Sequence, residues 1–139
     1  MVRVKKIFRG DFYEGEWEND LPNGFGTLQY LSGCSYKGEF KDGKPHGHGK
    51  FLLAYGGEYV GEYNRGLQHG KGRYVFSNGA VYIGEFKNDK MHGKGRLKAN
   101  GTVYDAIWHH GKMKDTIAVT HADGTVSANE TKSTKRLRL

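Results

Sequence analysis

The sequence predicts an all-β protein: an elongated, single-layer, twisted antiparallel sheet of tandem β-hairpins. Three observations carry this. The phrase Tyr-x-Gly-Glu-aromatic occurs at Tyr13, Tyr36, Tyr59 and Tyr82, with a worn copy at Tyr104, and these tyrosines lie 23, 23, 23 and 22 residues apart. A second phrase keeps step with the first, as NGFG from Asn23, HGHG from His46, and HGKG from both His69 and His92. A fixed period in this range means units that bury their surface only against their neighbours. Within each phrase, apolar and charged residues alternate with the period of a strand.

Taken in order, residues 1–12 supply a basic strand that completes the first repeat. Residues 13–115 are the repeat array, four good copies and a degenerate fifth. In the second copy Tyr36, Gly38 and Phe40 share one face while Lys37 and Glu39 share the other. A polar loop is expected over Lys41–Gly47, and then a return strand in which Gly49, Phe51 and Leu53 share the apolar face. Asn78-Gly79, Asn100-Gly101 and Asp123-Gly124 are tight-hairpin signals. Long loops are therefore expected along the Lys41–Gly47 edge and tight turns along the other. Glu16, Glu39, Glu62 and Glu85 each precede Thr27, Lys50, Arg73 and Arg96 by eleven residues, which predicts cross-strand partners on a solvated face. Gly15, Gly38, Gly61 and Gly84 sit between two aromatics on one strand face, where a missing side chain lets rings lie across the backbone. In the fifth copy Ala106 replaces that glycine. Residues 116–130 are expected to form a capping hairpin, and 131–139 a basic flexible tail.

Composition limits the chemistry. The net charge is +7, and the ends carry it: Arg3, Lys5, Lys6 and Arg9 at one, Lys132, Lys135, Arg136 and Arg138 at the other. The repeat body is close to neutral, and its alternating signs argue against nucleic acid as a partner. Cys34 has no second cysteine to pair with, no apolar run approaches the roughly 20 residues of a membrane-spanning helix, and the N-terminus lacks the apolar core of a secretory leader. A soluble, cytoplasmic protein is expected, with association to cytoskeleton or membrane. His46, His69 and His92 recur two strands apart, about 10 Å, too far for two of them to share a zinc ion held at about 2 Å. Only His46 with His48, or His109 with His110, stay close enough to be considered. No Ser or Cys nucleophile has a base in view, and no carboxylates are embedded among apolar residues. We expect no enzyme, no cofactor and no metal.

These phrases resemble the MORN repeat (membrane occupation and recognition nexus), over Tyr13–Gly101 almost without gaps and weakly to about Asp115. The resemblance implies hairpins stacked into a long twisted sheet with a groove. Arrays of this family occur attached to lipid kinases, in junctional membrane proteins, and as free-standing scaffolds of cilia, flagella and cytoskeleton. This chain looks like a free-standing array.

A single layer leaves a face open, and exposed aromatics on a soluble protein mark binding surfaces. The expected partner groove is lined by Tyr36, Phe40, Phe51, Tyr59, Tyr63, Tyr74, Phe76, Tyr82 and Phe86. Its expected occupant is a protein, as an amphipathic helix or a second copy of the chain. The alternative is a peripheral membrane module, with Lys5, Lys6, Arg9, Lys132, Lys135, Arg136 and Arg138 on anionic phospholipid or phosphoinositide.

Overall fold

The computed structural model describes residues 2–128. Twelve strands form one open sheet in chain order, each antiparallel to the next. They are β1 (Val2–Phe8), β2 (Asp11–Glu18), β3 (Leu21–Gln29), β4 (Ser35–Lys41), β5 (Lys44–Leu52), β6 (Glu58–Asn64), β7 (Leu67–Val75), β8 (Val81–Lys87), β9 (Lys90–Ala99), β10 (Thr102–His109), β11 (Lys112–Thr120) and β12 (Val126–Ala128). At about 4.8 Å per strand the sheet runs roughly 50 Å. The Lys132, Lys135, Arg136 and Arg138 cluster lies outside the described residues.

The two edges are the reverse of the expectation. β4 turns into β5 through Asp42-Gly43 alone, with φ of 49° and 86°, and β6 into β7 through Arg65-Gly66, with 50° and 85°. Two positive φ values in a two-residue loop make a type I′ turn, whose twist matches that of the flanking strands. The longer connections, Tyr30–Cys34, Leu53–Gly57 and Phe76–Ala80, lie on the opposite edge. There Asn78-Gly79 sits inside a wider loop, closed by Phe76 N–H donating to the Ala80 carbonyl at 2.9 Å. Asn100-Gly101 alone behaves as read, joining β9 to β10 directly. Arg65 has no local side-chain reason to hold φ of 50°, whereas asparagine tolerates that region. Arg65→Asn is expected to stabilise the protein by about 0.5 kcal/mol, read as a higher midpoint in urea; a lower midpoint would contradict the turn assignment.

The early turn also moves the register. Gly38 pairs with Gly49 and Phe40 with Pro45, so Glu39 alone faces His46, Gly47 and His48 across a bulge. The expected Glu39–Lys50 partnership is thereby overturned. Lys50 pairs with Lys37, Arg73 with Val60, Arg96 with Ile83 and Thr27 with Glu14. The glutamates turn back to the backbone of the next strand instead. Glu39 accepts the backbone N–H of His48 at 2.6 Å, Glu16 that of Phe25 at 2.6 Å and Glu85 that of Lys94 at 2.6 Å, while Glu62 accepts that of Lys71. Each carboxylate satisfies an amide that the bulge leaves without a ladder partner. Glu62→Ala should cost about 1 kcal/mol and Glu62→Gln less, because glutamine keeps an acceptor; equal midpoints for all three proteins would count against this role.

One face carries the core. Tyr13, Tyr36, Tyr59 and Tyr82 are fully buried, each ring lying over a glycine of the next strand. Their hydroxyls donate to the carbonyls of Glu16, Glu39, Glu62 and Glu85 at 2.5 to 2.8 Å. A buried phenol thus finds its partner at the bulge. Between repeats the rings meet edge-on: Tyr13 with Phe40 at 5.3 Å, Tyr36 with Tyr63 at 5.2 Å, Tyr59 with Phe86 at 5.0 Å, and Tyr82 with Trp108 at 5.4 Å. The glycines beneath form an unbroken row, one per strand from β2 to β9: Gly15, Gly26, Gly38, Gly49, Gly61, Gly72, Gly84 and Gly95, each paired with the next. Val4 precedes the row and Ala106 follows it.

Candidate binding groove

The glycine row has two sides. Aromatic rings cover one. On the other, side chains flank a floor of bare backbone, and a groove results. One stretch of about 540 Å³ is lined by Arg3, Glu14, Phe25, Thr27, Lys37, His48, Lys50 and Val60 around Gly26, Gly38, Gly49 and Gly61. A second, of about 530 Å³, continues from Val60 past Lys71, Arg73 and Ile83 to Lys94, over Gly72 and Gly84. Phe25, Val60 and Ile83 are 62%, 42% and 54% exposed along it. The groove therefore runs across β1 to β9 on the face opposite the tyrosines.

This corrects the aromatic groove. Tyr36, Phe40, Tyr59, Tyr63, Tyr82 and Phe86 are buried in the fold, and only Phe51, Tyr74 and Phe76 keep part of their surface. The physical reason is mutual cover. A single layer cannot hide its face beneath a second layer, so large rings laid flat over glycines and wedged edge-on hide each other. The sequence signal for the groove was the glycine, not the ring: two glycines per repeat, paired across strands, leave the opposite face hollow.

The basic N-terminal residues do not gather into one patch. Lys5 pairs with Glu14 at 3.4 Å on the groove face, Lys6 lies 4.3 Å from the Trp17 ring on the aromatic face, and Arg9 lies 4.7 Å from the Phe8 ring at the turn. Two histidines of the second phrase brace the turn of the following repeat. His46 Nδ1 accepts the N–H of Arg65 at 3.3 Å and His92 Nδ1 that of His110 at 3.4 Å, tying each repeat to the turn of the next. Asn23 does the same for Asp42 at 2.8 Å. His69 Nδ1 is buried without a partner among the described residues. His92, His109 and His110 crowd together, with ring centroids 4.1 to 5.4 Å apart. Partial desolvation, then the charges of His110, His92, Lys114 and Lys87, hold His109 below the usual histidine range. Among the described residues, no three His, Cys, Asp or Glu side chains are placed to hold a metal ion.

The MORN repeat pattern matches residues 13–35, 36–56, 59–81 and 82–103, more than half of the chain. The chain belongs to the MORN repeat family. No curated protein matches it significantly along its sequence. MORN repeats in general are associated with protein or membrane interactions. The bounds of the match place each MORN unit as a hairpin plus its connection, with a type I′ turn and a bulge within each hairpin and, in the fourth unit, a second two-residue turn at Asn100-Gly101 as the connection. No helix among the described residues is long and apolar enough to cross a membrane.

Proposed function

We propose that this MORN array is a non-catalytic interaction scaffold that receives a partner protein in the glycine-floored groove. The observation that carries the reading is the hollow face itself: Val60 and Ile83 stand exposed on one side of the glycine row and Phe25 on the other, over backbone without side chains, with long cations beside them. Such a surface offers apolar area and close backbone approach together, as peptide-receiving grooves do. The test is a photo-crosslinking amino acid placed at Val60 or Ile83 and, separately, at Tyr74 on the aromatic face. Protein adducts formed in cells from the first two positions and not from the third are expected. Adducts from position 74 alone would return the partner to the aromatic side.

A second reading, contact with an anionic membrane, is favoured by one observation. Leu31 and Tyr55, 87% and 96% exposed, project from loops of adjacent repeats along one edge, and Leu31 packs beside the turn of Arg9 and Gly10. Apolar tips beside a cation suit a lipid headgroup region. Sedimentation with phosphatidylserine vesicles should fall at least several-fold in Leu31→Ser/Tyr55→Ser if this edge binds lipid. Unchanged sedimentation of that variant removes the reading.

A further inference from the structure

The charges flanking the glycine floor are sorted, and the sorting selects an occupant. On one wall Lys37 and Lys50 stand directly opposite each other across β4 and β5, an arrangement of like charges that destabilises a sheet. Lys50 and Arg73 both lean on one carboxylate, Glu58, at 3.4 and 3.6 Å, and Lys37 has no ion pair among the described residues. Of these three cations, two thus share one carboxylate and the third has none. The glutamates of the other wall form no ion pair with them among the described residues, and Glu39 and Glu62 each turn one oxygen to a bulge amide, of His48 and Lys71. Residues 129–139 are a poor occupant, since Lys132, Lys135, Arg136 and Arg138 outnumber Glu130. A second copy docking the same face would bring the same cations.

The spacing says more. Lys50 and Arg73 are equivalent positions of successive repeats, two strands or about 9.6 Å apart. Seven residues of α-helix rise about 10.5 Å and return to nearly the same face. Three residues of extended chain cover a similar length but end on the opposite face. We propose that the groove receives an acidic amphipathic α-helix whose carboxylates recur every seventh residue, one on Lys50 with Lys37 beside it and the next on Arg73. Apolar residues of the intervening turns would lie over Val60. This rests on the groove being the binding surface. Sheet twist turns successive repeats away from one another, so a straight helix engages about two repeats.

The test uses three fluorescein-labelled 18-residue helical peptides on the full chain. One carries Glu at every seventh position on an Ala/Leu background, one carries Lys there, and one carries the same glutamates at every fifth position. Binding is read by anisotropy and located by NMR shifts of the Gly61 and Gly72 amides. The heptad Glu peptide is expected to bind at least tenfold more tightly than the other two. Lys37→Glu/Lys50→Glu, checked for folding by circular dichroism, should remove that preference, and Lys90→Glu, outside the groove, should not. Equal binding of the Lys or fifth-position peptide, or no binding of the heptad peptide, overturns the proposed occupant. If peptide bound by either rule still shifts Gly61 and Gly72, the groove itself stands. Binding that leaves both amides unmoved overturns the groove with it.

Discussion

Gly61→Val is expected to disrupt the centre of the array. A Cβ built at Gly61 would stand 2.5 Å from the Gly72 Cα, 2.6 Å from the Lys71 carbonyl oxygen and 2.7 Å from the Tyr59 hydroxyl. Two of these three are backbone, which cannot swing aside as a side chain can. The Tyr59 ring is held in turn by Phe86 of the next repeat at 5.0 Å and by Tyr63 of its own at 5.2 Å, and Tyr63 meets Tyr36 of the repeat before, so the strain passes both ways. Overpacking in a tight interior costs about 1–3 kcal/mol, and the backbone contacts put this case at the upper end or beyond. Near 3 kcal/mol the melting temperature falls by roughly 10 °C at this size. Gly79→Val is the matched control, since no atom lies within 4 Å of a Cβ there, although its φ of 91° adds local strain. If Gly61→Val melts no earlier than Gly79→Val, the ring-over-glycine core is wrong.

Alkaline pH should unfold the protein cooperatively. Burial pushes the hydroxyls of Tyr13 and Tyr82 up to about 12, and burial raises those of Tyr36, Tyr59 and Tyr63 as well. In an unfolded chain the same groups lose their protons near 10. The folded state therefore holds more protons between these limits, and stability declines as pH rises through that window. The contribution is complete below pH 10. The hydroxyls of Tyr13, Tyr36, Tyr59 and Tyr82 also donate to the bulge carbonyls, so ionisation removes the donor and places a negative charge against an oxygen. Absorbance at 295 nm and far-ultraviolet circular dichroism, followed from pH 9 to 13, should show the buried tyrosines ionising together with loss of the sheet. Complete tyrosinate absorbance with an intact dichroism spectrum would contradict their burial.

Both tests fall on residues whose roles the sequence divided unevenly. Tyr63 and Phe86, both expected from the sequence in the partner groove, illustrate this. A double variant Tyr63→Ala/Phe86→Ala, made to test partner capture, would instead empty the core, because both rings are buried between repeats. At a large cavity cost of about 3–5 kcal/mol per aromatic, loss of binding would report loss of fold. The exposed Val60 and Ile83 are the residues through which binding can be probed without that confusion.

The repeat period, the all-β class, the antiparallel hairpins and the placing of rings over glycines were determined by the sequence itself. They follow from local alternation and from spacing, and each strand carries its own copy of the signal. What the tertiary structure decided is register and side. The I′ turn at Asp42-Gly43 and the bulge at Glu39 are set by how few residues close the loop, which polar composition does not reveal, and a two-residue difference there changes every cross-strand partner. The face left open was decided the same way. An aromatic stripe reads identically whether its rings meet a partner or each other. Only the packing of Tyr36 against Tyr63 and of Tyr59 against Phe86, one repeat apart, turns that stripe inward and leaves the glycine side as the groove.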